Sequence, residues 1–408
     1  MTISSKWHGV DLTDDQLTLL DWLREFCVKE IRPAGAKYHK SGEVPWEIIK
    51  KAAKAGIYSR DFLEQLFTDP TGKTPALAIE ELFHADAGIA LALFGTGLPA
   101  MAIMANGTNE QRDQWLDKCF GTIGKPGLAA FACSEAGAGS DVSMVTSTAV
   151  WNKEDQTWTL NGVKAWITNG GIADVHVVIA IVDAELGVRG HASFVVPPGT
   201  KGLSQGSKYD KLGFRASHTA EVVLENVVVP ADCLLGGKEK LDQRLERARN
   251  KESAGGQAAM ATFEGTRWMV AAMGVGLARA AFEHARDYAV GRVQGGKRIA
   301  EHQQVAAMLA DMATEIYLAR LGVIDAAHTY LTTGQLSGAQ GSMVKYFASE
   351  LAVRVTRNAV QILGGAGYTH DHPVAQWMCD APLLTLFEGT SQVQKNVIAS
   401  TVTGLRIR

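Results

Sequence analysis

Glu388 lies in the run Leu386-Phe387-Glu388-Gly389-Thr390-Ser391-Gln392, where its carboxylate could do acid–base chemistry. Apolar neighbours disfavour the anion, raise the carboxyl pKa and make it a better base. Gly389 lets a ligand approach the backbone. Thr390, Ser391 and Gln392 offer donors to a phosphate or an adenosine group. The same residues also suit a solvated glutamate at a helix start. Two further stretches could hold a ligand. Phe131-Ala132-Cys133-Ser134-Glu135-Ala136-Gly137-Ala138-Gly139-Ser140-Asp141 places glycines and hydroxyls behind an apolar run, and backbone N–H groups exposed by glycine suit a phosphate or a planar ring edge. An ordinary glycine-rich turn has the same composition. In Lys164-Ala165-Trp166-Ile167-Thr168-Asn169, Trp166 and Thr168 would share one face of a strand. Trp166 could then cover a ring while Thr168 bonds its edge, or Trp166 could be a core residue.

The chain that positions these residues has 408 residues, 46% of them hydrophobic, enough for two or three domains with buried cores. A net charge of -3 implies no bulk attraction to nucleic acid or anionic membrane. The five cysteines, Cys27, Cys119, Cys133, Cys233 and Cys379, are odd in number and widely spaced. They form no CxxC pattern, so a reduced, cytoplasmic setting is expected. No apolar run is expected to span a bilayer. Neither terminus reads as a targeting or lipidation signal.

Periodicity divides the chain in three. Residues 1–125 read as helical. Thr13-Asp14-Asp15-Gln16 is a capping-box pattern. Leu17, Leu20, Leu23 and Cys27 follow at helical spacing. Pro45 opens a helix that Gly56 ends, and residues 75–98 form a nearly apolar helix suited to burial. Residues 126–236 show short β-rich runs, with turns expected at Asn161-Gly162 and Pro198-Gly199. This is the pattern of a central antiparallel β-domain. Residues 237–253 alternate Lys and Arg with Asp and Glu, as in a charged linker or a solvated helix. A sharper reading sends Arg244, Arg247 and Arg249 to the phosphates of a ligand. The rest of 237–408 carries long helical segments at 262–291, 301–333 and 338–363 and another after Ser391. Short links between them suggest a C-terminal antiparallel four-helix bundle. The fold class is therefore α+β, with helical, β and helical domains in that order.

Nearly the whole chain resembles the acyl-CoA dehydrogenase family. The resemblance rests on the three motifs above, on Asp210-Lys211-Leu212-Gly213-Phe214-Arg215-Ala216-Ser217-His218-Thr219 and on Leu224-Glu225-Asn226-Val227-Val228-Val229-Pro230. It also rests on Glu301-His302-Gln303 and on Gln361-Ile362-Leu363-Gly364-Gly365-Ala366-Gly367-Tyr368. Each motif is modestly specific; together and in order they are strongly so. Ser59 to Pro75 stands where the family has another loop, and Gly295 where it has phenylalanine.

The resemblance implies one FAD per subunit and a homotetramer. Phe131, Cys133, Ser134, Gly139, Ser140, Trp166, Ile167 and Thr168 would hold the isoalloxazine. Arg292, Gln294, His302 and Gln303, with Gln361, Ile362, Gly364 and Gly365, would bind the pyrophosphate and adenine side, in part from a neighbouring subunit. Thr390, Ser391 and Gln392 would close that site. Glu388 matches the catalytic base. Arg267 matches a CoA-side arginine, and Ser140, Glu264, Phe387 and Gly389 would also meet substrate. Some members carry the base on the helix of Arg267, but Thr266 stands there. The implied reaction is α,β-dehydrogenation of an acyl-CoA, with electrons passed to an electron-transferring flavoprotein. A flavin oxidase or monooxygenase of the same fold, or a non-catalytic partner subunit, are the competing readings.

Overall fold

The computed structural model describes residues 10–251, 258–336 and 338–407, with the backbone alone for 258–264. The first helices are α1 (Asp14–Phe26), α2 (Gly35–Ser41), α3 (Trp46–Ala55) and α4 (Arg60–Leu66); α5 (Lys73–Ala85), α6 (Ala87–Phe94), α7 (Gly97–Asn106) and α8 (Asn109–Phe120) follow. The capping box of α1 forms as read: Gln16 N donates to Thr13 Oγ1 at 3.3 Å and Thr13 N to Gln16 Oε1 at 3.0 Å. α3 stops at Gly56, whose left-handed φ of +84° a glycine adopts without strain. The apolar 75–98 segment is divided at Asp86, because the Asp86 carboxylate accepts from Ile89 N at 2.8 Å and starts α6 as its N-cap. Ala87–Asn106 is long and apolar enough to cross a bilayer by length and composition, yet 72% of that window is buried inside the fold.

The sheet runs β1-β4-β2-β3-β7-β6, with β5 pairing β4. Its strands are β1 (Ala129–Ala132), β2 (Thr148–Asn152), β3 (Thr157–Thr168), β4 (Val175–Ile181), β5 (His191–Val196), β6 (Leu203–Lys208) and β7 (Thr219–Pro230). Most pairs are antiparallel as expected, but β1 pairs β4 in parallel and β2 meets β4 in parallel at Thr148 and Ile181, since the chain passes through the β2–β3 hairpin before it returns as β4. Pro198-Gly199 is a turn. Asn161-Gly162 is not; it lies inside β3 at a break in the register with β7. The Asn161 side-chain oxygen accepts from Asn226 N at 2.7 Å, which replaces the regular ladder there. Gly162 has a φ of +147°, and a Cβ would collide with Ser147.

The charged run forms α9 (Lys238–Arg249) with Leu241, Leu245 and Ala248 turned inward. Arg244 donates to the carbonyl of Arg189 at 3.1 Å, and Arg249 pairs with Asp183 at 2.6 Å. These two arginines are engaged by the β-domain, so the segment is a docked helix rather than a loose linker. Next come α10 (Ala258–Gly291), the hairpin β8 (Val293–Gln294) and β9 (Lys297–Arg298), α11 (Gln303–Thr333), α12 (Gln340–Leu363), α13 (Val374–Asp380) and α14 (Ser391–Thr403). α10, α11, α12 and α14 make the bundle. Buried Glu80 on α5 takes a two-pronged bond from Arg320 of α11, both contacts at 2.8 Å, and pairs with Arg279 of α10 at 3.2 Å. Paired and hydrogen-bonded, these charges can stay inside and fix the N-terminal helices on the bundle.

Candidate active site

A cavity of about 680 Å³ opens where the N-terminal helices, the sheet and the bundle meet. Leu91, Phe94, Leu98 and Met101 of α6 and α7, with Met269, Val270 and Met273 of α10, give it apolar walls. Sequence reading missed these residues, because an apolar side chain on a buried helix looks the same whether it faces a cavity or a core.

The sheet delivers the predicted ring-side residues. Phe131, Cys133, Ser134, Gly139, Ser140, Trp166, Ile167 and Thr168 all line the cavity. Their loop is anchored by a buried ion pair: Lys164 Nζ lies 2.8 Å from Glu135 Oε1 and also donates to Cys133 O at 3.0 Å. Glu135 accepts in addition from the backbone N–H groups of Thr146 and Ser147, at 2.8 and 2.9 Å. Although burial opposes it, the Lys164 hydrogen bond and the Ser147 and Thr146 hydroxyls hold the Glu135 carboxyl down at about 2. Lys164 and Glu135 were missed as partners. The Cys133 thiol is pushed up by burial to about 11, so it stays neutral.

Trp166 is not a core residue: it is 51% exposed and has a left-handed φ of +59°. β3 skips from Lys164 to Ile167 in its pairing with β7, a bulge that turns the indole toward the cavity mouth. There it stacks on Tyr209, with centroids 6.4 Å apart and an interplanar angle of 24°. Lys211 lines the same wall and donates to Thr219 Oγ1 at 2.7 Å; burial pushes its ammonium down to about 7.

Glu388 enters from the opposite side. It has a left-handed φ of +50°, and Gly389 follows at +89°. Two fully buried side chains grip this turn. Lys345 Nζ donates to Gly389 O at 2.7 Å; Gln394 Nε2 donates to Glu388 O at 3.2 Å and to Gly389 O at 3.0 Å. Thr266 Oγ1 donates to Glu388 Oε2 at 2.6 Å. Burial raises the Glu388 carboxyl above its ordinary value, against the downward pull of the Thr266 bond and the charges of Lys345 and Arg267. A carboxylate of raised proton affinity in an apolar cavity is what proton abstraction requires.

Phe387, Gly389, Thr390 and Arg267 also line the cavity. Thr390 is in addition the N-cap of α14, accepting from Val393 N at 3.2 Å. Arg267 donates to Ser342 Oγ at 3.1 Å. The side chain of Glu264 lies outside the described residues. The other predicted residues are not brought to this cavity. Arg292, Gln294 and His302 belong to the hairpin after α10, where Gln294 O bonds the His302 ring at 2.9 Å, and Gln303 begins α11. Gln361, Ile362, Gly364 and Gly365 stand at the end of α12, and Gln392 points to solvent.

Profiles of the acyl-CoA dehydrogenase N-terminal, middle and C-terminal domains match residues 13–122, 130–227 and 253–403. An acyl-CoA dehydrogenase of Bacillus subtilis is 35% identical over 395 residues, 96% of this chain and 99% of that one. The butyryl-CoA dehydrogenase structure from Megasphaera elsdenii superposes with a TM-score of 0.82 at 34% identity, covering 97% of this chain and 99% of the other. A structure described as the electron transferring flavoprotein of Acidaminococcus fermentans gives 0.84 at 34% identity, covering 96% and 98%.

Proposed function

The chain belongs to the acyl-CoA dehydrogenase family of oxidoreductases that act on acyl-CoA, and from that premise we propose that it removes hydrogen from the α and β carbons of an acyl-CoA thioester to give the trans-2-enoyl-CoA. The family's members are FAD flavoproteins. The residues at the sheet end of the cavity fit the ring of that cofactor. Gly139 leaves open space where a Cβ would stand, and Trp166 and Thr168 offer a flat apolar face beside a hydroxyl. Bound FAD supplies the acceptor for the β-hydride.

This chain's own residues do the rest. Glu388 takes the α-proton, and its burial gives the carboxylate the proton affinity the step needs. The negative charge that develops on the thioester oxygen is met by the backbone N–H of Glu388. One such donor is worth roughly 3 kcal/mol in the barrier. Arg267, Ser140, Phe387, Gly389 and Glu264 are assigned to the substrate. The walls from Leu91, Phe94, Leu98 and Met101 suit an uncharged aliphatic acyl group.

Arg292, Gln294, His302, Gln303, Gln361, Ile362, Gly364, Gly365 and Gln392 are assigned to the FAD pyrophosphate and adenine of a neighbouring copy in a homotetramer. Supporting this, Tyr317, Leu318 and Leu321 of α11 and Met343 and Phe347 of α12 are exposed apolar residues, a composition suited to an interface between copies. Electrons pass on to an electron-transferring flavoprotein, and the setting is cytoplasmic.

The observation that carries this reading is the half-buried Glu388, hydrogen-bonded by Thr266 and lining an apolar cavity. Anaerobic addition of aliphatic acyl-CoAs to the purified yellow protein should bleach its flavin band. A colourless protein that takes up no FAD, or a flavin that no acyl-CoA reduces, would overturn it.

A further inference from the structure

The Glu388–Gly389 turn is left-handed at both residues, and for Glu388 that backbone is disfavoured. Something must hold it. α12 supplies Lys345, which is 0% exposed, and α14 supplies Gln394, also 0% exposed. Gln394 reaches both carbonyls as a neutral donor, whereas Lys345 reaches one and carries a charge into the protein interior. Placing an ammonium group there is costly, and a neutral donor would satisfy the carbonyl equally well. The charge therefore has a further use.

We propose that Lys345 is the positioning residue of the base: its ammonium clamps the Gly389 carbonyl and supplies the positive charge that acts on the Glu388 carboxyl. This rests on Glu388 being the base. The charged and titratable groups around Lys345 are Glu388 on the turn, Arg267 from α10 and Glu350 on its own helix. Burial pushes the Lys345 ammonium down to about 8, Arg267 adds to that, and Glu388 and Glu350 oppose it. Glu388 moves the other way, up by burial, with Lys345 among the groups that restrain it. The lysine thus favours the ionised form of the base, against the burial that raises its proton affinity.

Lys345→Met removes both the clamp and the charge; Lys345→Gln keeps a donor to the carbonyl and removes the charge alone. In both, the acid limb of kcat/KM for acyl-CoA oxidation should move to higher pH by about one unit, the size of a lost neighbouring charge. KM should change little. The infrared titration of the Glu388 carboxyl band, identified by its disappearance in Glu388→Gln, should shift equally without any turnover. Lys345→Arg should return both readouts toward wild type. Gln394→Leu, which loosens the turn but leaves the charge, should lower kcat with the limb in place. An unmoved limb and band in Lys345→Gln, or the same shift in Gln394→Leu, overturns the proposal. If Glu388→Gln itself still reduces its flavin normally, the base assignment fails instead, and the two failures are told apart.

Discussion

Thr266 on α10 and Glu388 on the turn before α14 meet through a hydroxyl–carboxylate hydrogen bond of 2.6 Å, although 122 residues separate them in the chain. The bond favours the ionised carboxylate and so opposes the burial that raises its proton affinity. Thr266→Val keeps the shape and removes the donor. A hydrogen bond to a charged group is worth about 1.5–3 kcal/mol, so the acid limb of the pH–rate profile should rise by about one unit or more. Flavin content should be unchanged. A profile that does not move would mean that the threonine only fills space.

The Glu135–Lys164 pair should be a main support of the ring-side loop. Lys164→Met leaves Glu135 buried without its cation. Breaking a buried pair in this way costs about 3–5 kcal/mol, readable by urea unfolding. The pH dependence has a definite sign. Glu135 is held at about 2, below its ordinary 4.5, so its contribution is present above pH 4.5 and is lost as the pH falls toward 2. Glu135→Gln should therefore be less stable than wild type at neutral pH, with the gap closing in acid.

Asp380 should behave in the opposite way. Its Oδ1 accepts from Phe214 N at 2.6 Å, and burial together with Asp86 pushes the carboxyl up to about 8 from an ordinary 3.8. Its stabilising contribution is whole below pH 3.8 and is lost as the pH rises through about 8. Asp380→Asn keeps an acceptor for Phe214 and carries no charge. It should gain on wild type as the pH climbs from about 4 toward about 8 and level off above that, by an amount on the order of 1–3 kcal/mol in thermal or denaturant unfolding.

Gly97 should set the room left for the acyl tail. It lines the cavity, and a Cβ there would meet only Leu63 Cδ1 at 3.9 Å, so a larger side chain grows into open space. Gly97→Val should raise KM for longer aliphatic acyl-CoAs by about tenfold, the burial of one to two methylenes, and spare short ones. An equal rise across chain lengths would place the tail elsewhere.

Much of this architecture could be read locally. The capping box at Thr13, the stop at Gly56 and the change of period at the sheet are signals within a few residues, and each appears where expected. Misreadings came where a side chain overruled a local preference. Asp86 caps a helix inside an apolar run, and Asn161-Gly162 bonds across to Asn226 rather than turning the chain. The site was legible as far as its motifs extend, from Phe131 to Ser140, Trp166 to Thr168 and Phe387 to Thr390. Thr266, Lys345, Glu135 and Lys164 were not legible as partners, because a hydroxyl or a charge that finds its mate only in the folded chain leaves no spacing to recognise. The hairpin and α12-end residues lie away from the cavity of this chain, so a single subunit does not unite them with Glu388.

The central claim is that Glu388 abstracts the proton that allows an acyl-CoA to be oxidised. Its most direct test is anaerobic stopped-flow of Glu388→Gln mixed with an aliphatic acyl-CoA that bleaches the wild-type protein. The account predicts a fully yellow variant that binds the thioester and keeps its flavin oxidised. Bleaching at the wild-type rate would contradict it.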